Sequence, residues 1–86
     1  MSVSTKKTAK AILLISGAEN SHVEGATTKA LSEYSLLIID TQKISMAGRL
    51  ILAFLLEIDP AHADAIGREM ASISQECGMD SALELL

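Results

Sequence analysis

Hydrophobic residues fall into distinct runs along this 86-residue chain, with short polar segments between them. Residues 10–16 form a short continuous apolar run that stops at Gly17, which is typical of a strand buried on both faces. Residues 49–58 form a second run of this kind. Residues 36–44 begin apolar and become mixed, which indicates a strand that leaves the core toward an edge. The pattern therefore predicts two inner strands and one outer strand.

Two further segments follow the period of an amphipathic helix. The first covers residues 21–34, where Ser21 and Glu24 match a capping box and make Ser21 the predicted N-cap. The second begins at Asp59 as N-cap with Pro60 in the first helical position. Its predicted core stripe is Ala63, Ile66, Met70, Ile73 and Cys77, with Gly78 as the residue that ends the helix.

The order of these elements predicts the fold. Residues 45–48 form a tight reversal, and residues 79–86 provide a last strand. The sum is β-α-β-β-α-β, which we interpret as an α+β, ferredoxin-like plait: a four-stranded antiparallel sheet with two helices on one face. The first and third strands lie at the sheet centre in such a plait. Residues 10–86 are predicted to be a single domain behind a mobile leader of residues 1–9.

The third predicted strand is apolar on both faces. Its side chains alternate between one face (Leu50, Leu52, Phe54 and Leu56) and the other (Ile51, Ala53 and Leu55). Two helices cover one face of a four-stranded sheet, so the other face would expose an apolar patch, which monomers usually avoid. We expect that face to be covered by a second copy of the chain, by a neighbouring domain, or through edge pairing that extends the sheet.

Composition excludes several classes of function. Seven Lys and Arg residues against eleven Asp and Glu give a net charge of −4, and Phe54 and Tyr34 are the only aromatics, so nucleic acid is not an expected partner. The longest apolar run, residues 50–56, is far shorter than the roughly 20 residues of a membrane span. The single cysteine, Cys77, fits a reducing compartment. We therefore expect a cytoplasmic protein with no membrane partner, no metal and no cofactor.

No set of residues in the chain combines a nucleophile, a base and an orienting group, so these 86 residues are predicted to be non-catalytic. Acylphosphatases on the same plait hold an acyl phosphate with an arginine near the first loop. Both arginines of this chain, Arg49 and Arg68, lie outside that region. A small stand-alone acyl-phosphate hydrolase is nevertheless kept as an alternative from another functional class.

Two segments resemble a known family. Gly17-Ala18-Glu19, followed by a helix, and residues 46–52 (Met-Ala-Gly-Arg-Leu-Ile-Leu) resemble an ACT domain, and in particular the N-terminal ACT region of bacterial phosphoserine phosphatases. The resemblance implies a regulatory module that binds an amino acid, often serine, where the first loop meets a partner copy. It also implies a phosphatase domain downstream, whose Asp-x-Asp-x-Thr motif is not in this sequence. The chain is then either a fragment of such an enzyme or a stand-alone ACT protein.

The resemblance places the candidate ligand site on Glu19, Asn20, Ser21 and His22. The family's aspartate corresponds to Glu19, and its Pro-Gly pair to Ser21 and His22. Glycine permits close approach of a ligand to the backbone, so we expect His22 to crowd it. Arg49 is expected to be structural and to pair with Asp40 or Glu57. The hypothesis is a non-catalytic module for regulation and self-association, and the alternative is a homo-dimerisation module without a ligand.

Overall fold

The computed structural model describes residues 7–86. Residues 1–6 of the predicted leader lie outside the described residues, and the first strand begins at residue 9. Along the chain the elements are β1 (Ala9–Ala18), α1 (Val23–Leu31), β2 (Leu37–Met46), β3 (Arg49–Ile58), a 3₁₀ turn (Pro60–His62), α2 (Ala63–Glu76) and β4 (Met79–Leu85). The strands form one antiparallel sheet in the order β2-β3-β1-β4. The predicted fold and the two predicted inner strands are confirmed.

The core lies between the helices and one face of the sheet. Paired positions of β1 and β3 supply its centre, with Leu13 opposite Phe54 and Ile15 opposite Leu52. The helices add five buried apolar residues to the same cluster: Val23, Ala30 and Leu31 from α1, and Ile66 and Met70 from α2. Three positions of the predicted α2 stripe, Ala63, Ile73 and Cys77, are partly buried against this cluster.

Among residues 7–86, no helix lies on the opposite face of the sheet, called the open face below. The strand registers assign the following residues to it: Lys10, Ile12, Leu14, Ser16 and Ala18 of β1, Leu37, Asp40, Gln42, Ile44 and Met46 of β2, Arg49, Ile51, Ala53, Leu55 and Glu57 of β3, and Asp80, Ala82 and Glu84 of β4. Its aliphatic residues remain accessible, with Leu14 42% and Ile51 39% exposed. The two faces predicted for the third strand are therefore confirmed.

The predicted N-cap of α1 is wrong. The helix begins at Val23 after His22, and no side chain of the described residues caps it. Instead, Asn20 Oδ1 accepts a hydrogen bond from the N–H of His22, the N-cap residue, at 2.8 Å. A side chain two residues before the N-cap thus forms an Asx-type turn that the capping-box pattern does not predict.

The end of α1 also comes earlier than predicted, at Leu31 rather than residue 34. The N–H groups of Glu33 and Tyr34 donate to carbonyls three residues back, at 3.2 and 3.1 Å, which tightens the last turn. The predicted start of the second helix belongs to the 3₁₀ turn, whose N-cap Asp59 accepts a hydrogen bond from the Ala61 N–H at 2.9 Å, while α2 begins at Ala63 after His62. The predicted end is confirmed, since Gly78 follows the helix with φ of 72°.

The reversal between β2 and β3 is tighter than predicted. Ala47 and Gly48 alone form it, with φ of 54° and 75°, and residues 45 and 46 belong to β2. Two consecutive positive φ angles are the signature of a type I′ hairpin turn, whose twist matches that of the strands. Ser45 is consequently a strand residue opposite Leu50 rather than a turn residue.

The sequence pattern predicts that the first strand stops at Gly17. In the structure, Gly17 lies within β1, opposite Met79 of β4 and Leu50 of β3. A Cβ at this position would lie 2.9 Å from Met79 Cγ and 3.1 Å from Met79 Cα. Met79 Cα belongs to the backbone of β4, which the pairing with β1 holds in place. Glycine is therefore needed here for close approach of two strands.

No helix within residues 7–86 is both long and apolar enough to cross a membrane. In the same part of the chain, no group of three or more His, Cys, Asp or Glu side chains has an arrangement that could hold a metal ion.

The close approach at Gly17 predicts that Gly17→Ala lowers the free energy of unfolding by about 1–3 kcal/mol, because either strand must shift. Urea denaturation followed by circular dichroism measures this change. Gly25→Ala is the control, because a Cβ at Gly25 of α1 would meet no atom within 4 Å. That variant should instead gain about 0.5–1 kcal/mol from the lower backbone entropy of the unfolded chain. Equal effects of the two substitutions would contradict the argument.

The buried hydroxyl of Thr27 provides a second prediction. Thr27 on α1 is fully buried, and its Oγ1 has no hydrogen-bond partner among the described residues. Thr27→Val replaces this hydroxyl with a methyl group of similar size and should raise the free energy of unfolding by about 1 kcal/mol. The neighbouring Thr28 is exposed and donates to the Glu24 carbonyl at 2.9 Å, so Thr28→Val should change stability by less than about 0.5 kcal/mol. Thermal and urea melts of both variants decide the comparison.

Tyr34 and Glu69 link the segment after α1 to α2. The phenol donates a hydrogen bond to Glu69 Oε1, and this bond, together with burial, raises the pKa of Tyr34 above 10.0. Because the folded pKa is the higher one, the bond stabilises the fold fully below the unfolded value. That contribution is lost as the pH rises through the folded pKa.

Ultraviolet absorbance of the phenolate should therefore give a midpoint above 10.0 for the folded chain, and Glu69→Gln should move it down toward that value. Tyr34 is the only tyrosine and there is no tryptophan, so the signal belongs to one residue. Glu33→Gln is the control, since Glu33 acts on the phenol through charge alone. A larger shift from Glu33→Gln than from Glu69→Gln would disprove the assignment.

Candidate functional site

A cleft lies where the β1–α1 loop meets the β2–β3 hairpin. Its volume is about 470 Å³. Three of its lining residues come from the loop (Glu19, Asn20 and Ser21), and three come from the hairpin (Lys43, Ser45 and Leu50). Three of the four predicted site residues are therefore together in one cleft, and His22 is not among the residues that line it.

Glu19 fastens the loop to the hairpin. Its backbone N–H donates to the Gly48 carbonyl at 2.9 Å, and its carboxylate accepts a hydrogen bond from the Ser45 hydroxyl. One carboxylate oxygen, Oε1, is the acceptor in that bond, which leaves Oε2 to face other donors. Glu19 is thus an acidic group held in place at the wall of the cleft.

Asn20 holds the loop from the other side. Its Nδ2 donates to the Cys77 carbonyl at the end of α2, at 3.3 Å, while its Oδ1 accepts from His22. Because its amide nitrogen and its amide oxygen both form hydrogen bonds, Asn20 positions the loop between α1 and α2. Its side chain therefore links the cleft to the C-terminal end of α2.

The first turn of α1 begins beside the cleft. Ser21 lines the cleft and directly precedes His22, the N-cap. The first N–H groups of a helix have no partner within the helix, and no side chain caps them here. The imidazole of His22 is exposed, so the crowding expected from it does not fill the cleft.

Lys43 supplies the cation of the cleft. Its Nζ lies 3.2 Å from Glu24 Oε1, and both side chains are about half exposed. An exposed pair of this kind contributes little to stability, which leaves the ammonium free to exchange its partner for another anion. The cleft therefore presents one fixed carboxylate, one mobile ammonium and a hydroxyl.

Lys43 and Ser45 were missed by the sequence analysis. They alternate on β2, and the register places them opposite Leu52 and Leu50, on the same face of the sheet as the helices. The available signal was the Ala47-Gly48 pair, since a two-residue turn fixes which β2 residues face the first loop. The predicted turn of residues 45–48 included Ser45, so the alternation of Lys43 and Ser45 along β2 was not predicted.

The arginines lie elsewhere. Arg49 begins β3 on the open face, opposite Ala18 and Met46, and the ion pair expected with Asp40 or Glu57 is absent among the described residues. The register explains this, because Glu57 is at the far end of the same strand. Arg68 lies on α2, and neither arginine lines the cleft.

No family model matches the sequence, and no curated protein matches it either. Solved structures do match the fold. An ACT domain protein from Streptococcus pneumoniae superposes with a TM-score of 0.78 at 15% identity, over 90% of this chain and 89% of that one. Formyltetrahydrofolate deformylase from Burkholderia mallei superposes with a TM-score of 0.81 at 15% identity, over 90% of this chain and 28% of the deformylase.

A third structure belongs to a protein assigned provisionally as a glycine cleavage system transcriptional repressor. It has a TM-score of 0.81 at 11% identity, over 92% of this chain and 46% of that one. This chain thus spans less than half the length of two of these three neighbours. At such low identity the likeness concerns the fold, and it carries no link to phosphoserine phosphatase. The chain therefore has a ferredoxin-like fold of the ACT type.

Proposed function

We propose that this chain is a non-catalytic regulatory module that binds a free amino acid, such as serine, in the cleft at Glu19 and that associates with a second copy or a neighbouring domain. The observation that carries the proposal is the presence of an oriented carboxylate, Glu19, and a mobile ammonium, Lys43, in the lining of one cleft. An α-amino acid carries the complementary pair of charges on adjacent groups. The ACT-type fold supports the proposal.

Each charge of the ligand has a matching partner. The ligand ammonium would lie against Glu19, whose carboxylate is oriented by the Ser45 hydroxyl. The ligand carboxylate would lie against Lys43 and the start of α1, where unpaired N–H groups and the helix dipole favour an anion. The Ser45 hydroxyl oxygen would accept a hydrogen bond from a short polar side chain, which makes serine a suitable ligand.

The link to a phosphoserine phosphatase belongs to the same proposal. Support for it consists of the sequence resemblance at residues 17–19 and 46–52. In such an enzyme the module would sense the product amino acid, and the reaction itself would belong to another domain. Regulation is also part of what two of the structural neighbours suggest, since one is assigned as a repressor and one is an ACT domain protein.

A thermal melt of the purified chain with a panel of free amino acids tests the ligand. An amino acid present at 100 times its Kd adds about 2.7 kcal/mol, which raises the Tm of a domain of this size by roughly 10 °C or more. We expect a shift with serine or a close analogue. A flat panel would contradict ligand binding and favour the association module without a ligand.

Two charge-removing variants assign the shift to the cleft. Glu19→Gln keeps an acceptor for the Ser45 hydroxyl while removing the charge, and Lys43→Gln removes the cation; each should abolish most of the shift. Lys29→Gln on α1 is the matched control, because Lys29 is exposed and does not line the cleft. A shift that persists in both cleft variants would place the ligand elsewhere.

A further inference from the structure

The open face combines an apolar centre with charged ends. Aliphatic side chains from three strands meet at its middle, with Ile12 36% and Ile44 50% exposed. A shallow depression of about 170 Å³ beside Ala53 is lined by Ile12 and Leu55 together with the polar side chains of Asp40 and Gln42. Along β3 the sequence on this face runs from Arg49 through Ile51, Ala53 and Leu55 to Glu57. A cation and an anion therefore flank the same apolar stripe at equal distances from Ala53.

We propose that the open face is the contact between two copies of this chain, stacked with β3 antiparallel to β3 of the other copy. The inference deepens the self-association within the proposed function and does not depend on the amino-acid site. A two-fold axis beside Ala53 would place Ala53 against its counterpart. It would also bring Ile51 of each copy over Leu55 of the other.

Charge complementarity between the two ends of β3 favours this orientation, although the same axis brings Asp80 of one copy over Glu84 of the other at the β4 edge. Arg49 and Glu57 each lie four residues from Ala53, so the two-fold axis places Arg49 of one copy over Glu57 of the other, twice per dimer. With β3 parallel to β3, like charges would face each other at both ends. Of the remaining charged residues of the face, Lys10, Asp80 and Glu84 lie at its margins, and Asp40 lines the depression beside Ala53.

The size of the face is sufficient for a specific contact. Four strands about 4.8 Å apart give a width of about 19 Å, and ten residues at about 3.3 Å each give a length of about 33 Å. Two such faces bury roughly 1,200 Å², at the lower bound for a stable protein–protein interface. Stacked sheets also keep their strands within about 30° of each other, so long Arg and Glu side chains at the ends stay within reach.

The β2 edge of the sheet is less suited to pairing with another copy. At the β2 edge the register is interrupted by a bulge between Ile38 and Asp40. The Asp40 carboxylate accepts the Thr41 N–H at 2.8 Å and the Gln42 amide at 3.2 Å. A bulge and a carboxylate that occupies a backbone N–H are features that blunt an edge strand against an added strand.

Analytical ultracentrifugation of the ligand-free chain over a range of concentrations tests the contact. We expect a concentration-dependent dimer, and we expect Leu14→Asp, at the centre of the open face, to weaken it by at least about 100-fold. Leu85→Asp is the matched control, because Leu85 is 46% exposed against 42% for Leu14 but faces the helix side of β4. Circular dichroism melts confirm that both variants fold.

A charge swap tests the orientation and does not alter the apolar centre. Arg49→Glu alone and Glu57→Arg alone should each weaken the dimer by about tenfold, because like charges then meet twice. The double variant should restore the original affinity. Arg49 and Glu57 are eight residues apart on one strand, so this rescue requires two copies.

Three outcomes would overturn the proposal. A dimer unaffected by Leu14→Asp would contradict the open-face contact and leave self-association itself standing. A dimer that Leu14→Asp disrupts but the double charge swap does not restore would contradict the antiparallel orientation. A chain that stays monomeric at about 1 mM would contradict association with a second copy altogether, whatever the thermal melts show about amino acids.

Discussion

The pairing of β1 with β3 at the centre of the sheet is the constraint on which the rest of the structure depends. It brings Ala11, Leu13 and Ile15 opposite Leu56, Phe54 and Leu52, and all six are buried on the helix side. A slip of one residue would turn each side chain of a strand to the other face. Because residues 50–56 of β3 are apolar on both faces, the centre of this strand does not specify the register. The polar residues at the strand ends do, since a slip would bury Lys10 and Ser16 of β1 or Arg49 and Glu57 of β3.

The same register builds the candidate site. Gly17 lies opposite Leu50 and Ala18 opposite Arg49, so the chain that leaves β1 runs directly beside the β2–β3 turn. The Glu19 N–H then reaches the Gly48 carbonyl, and the Glu19 carboxylate reaches Ser45. The close approach at Gly17 allows β4 to pack on the other side of β1 at this end. The cleft is thus a consequence of strand pairing, with side-chain bonds that fix its walls.

Local signals account for what the sequence predicted correctly. Residues adjacent in the chain determine three features that were predicted correctly: the bounds of β3, the Asp59-Pro60 start of the second helical segment, and Gly78 at its end. The errors arise where a distant partner decides. Ser21 fits a capping pattern, yet Asn20 accepts the His22 N–H while its amide group donates to Cys77, 57 residues away. Lys43 and Ser45 line the cleft because of a strand register that the predicted turn, two residues too long, did not show.

The pleat of β3 separates the two proposed surfaces. Leu50 faces the cleft while Arg49 and Ile51, its neighbours in the chain, face the open side of the sheet. A second copy stacked on the open face would therefore leave the cleft accessible, and each copy would keep its own amino-acid site. Both surfaces nevertheless share one strand and one hairpin. A ligand that favours one position of this hairpin would therefore also change the affinity of the open face for a second copy. By thermodynamic reciprocity, association with that copy would change the ligand affinity by the same factor.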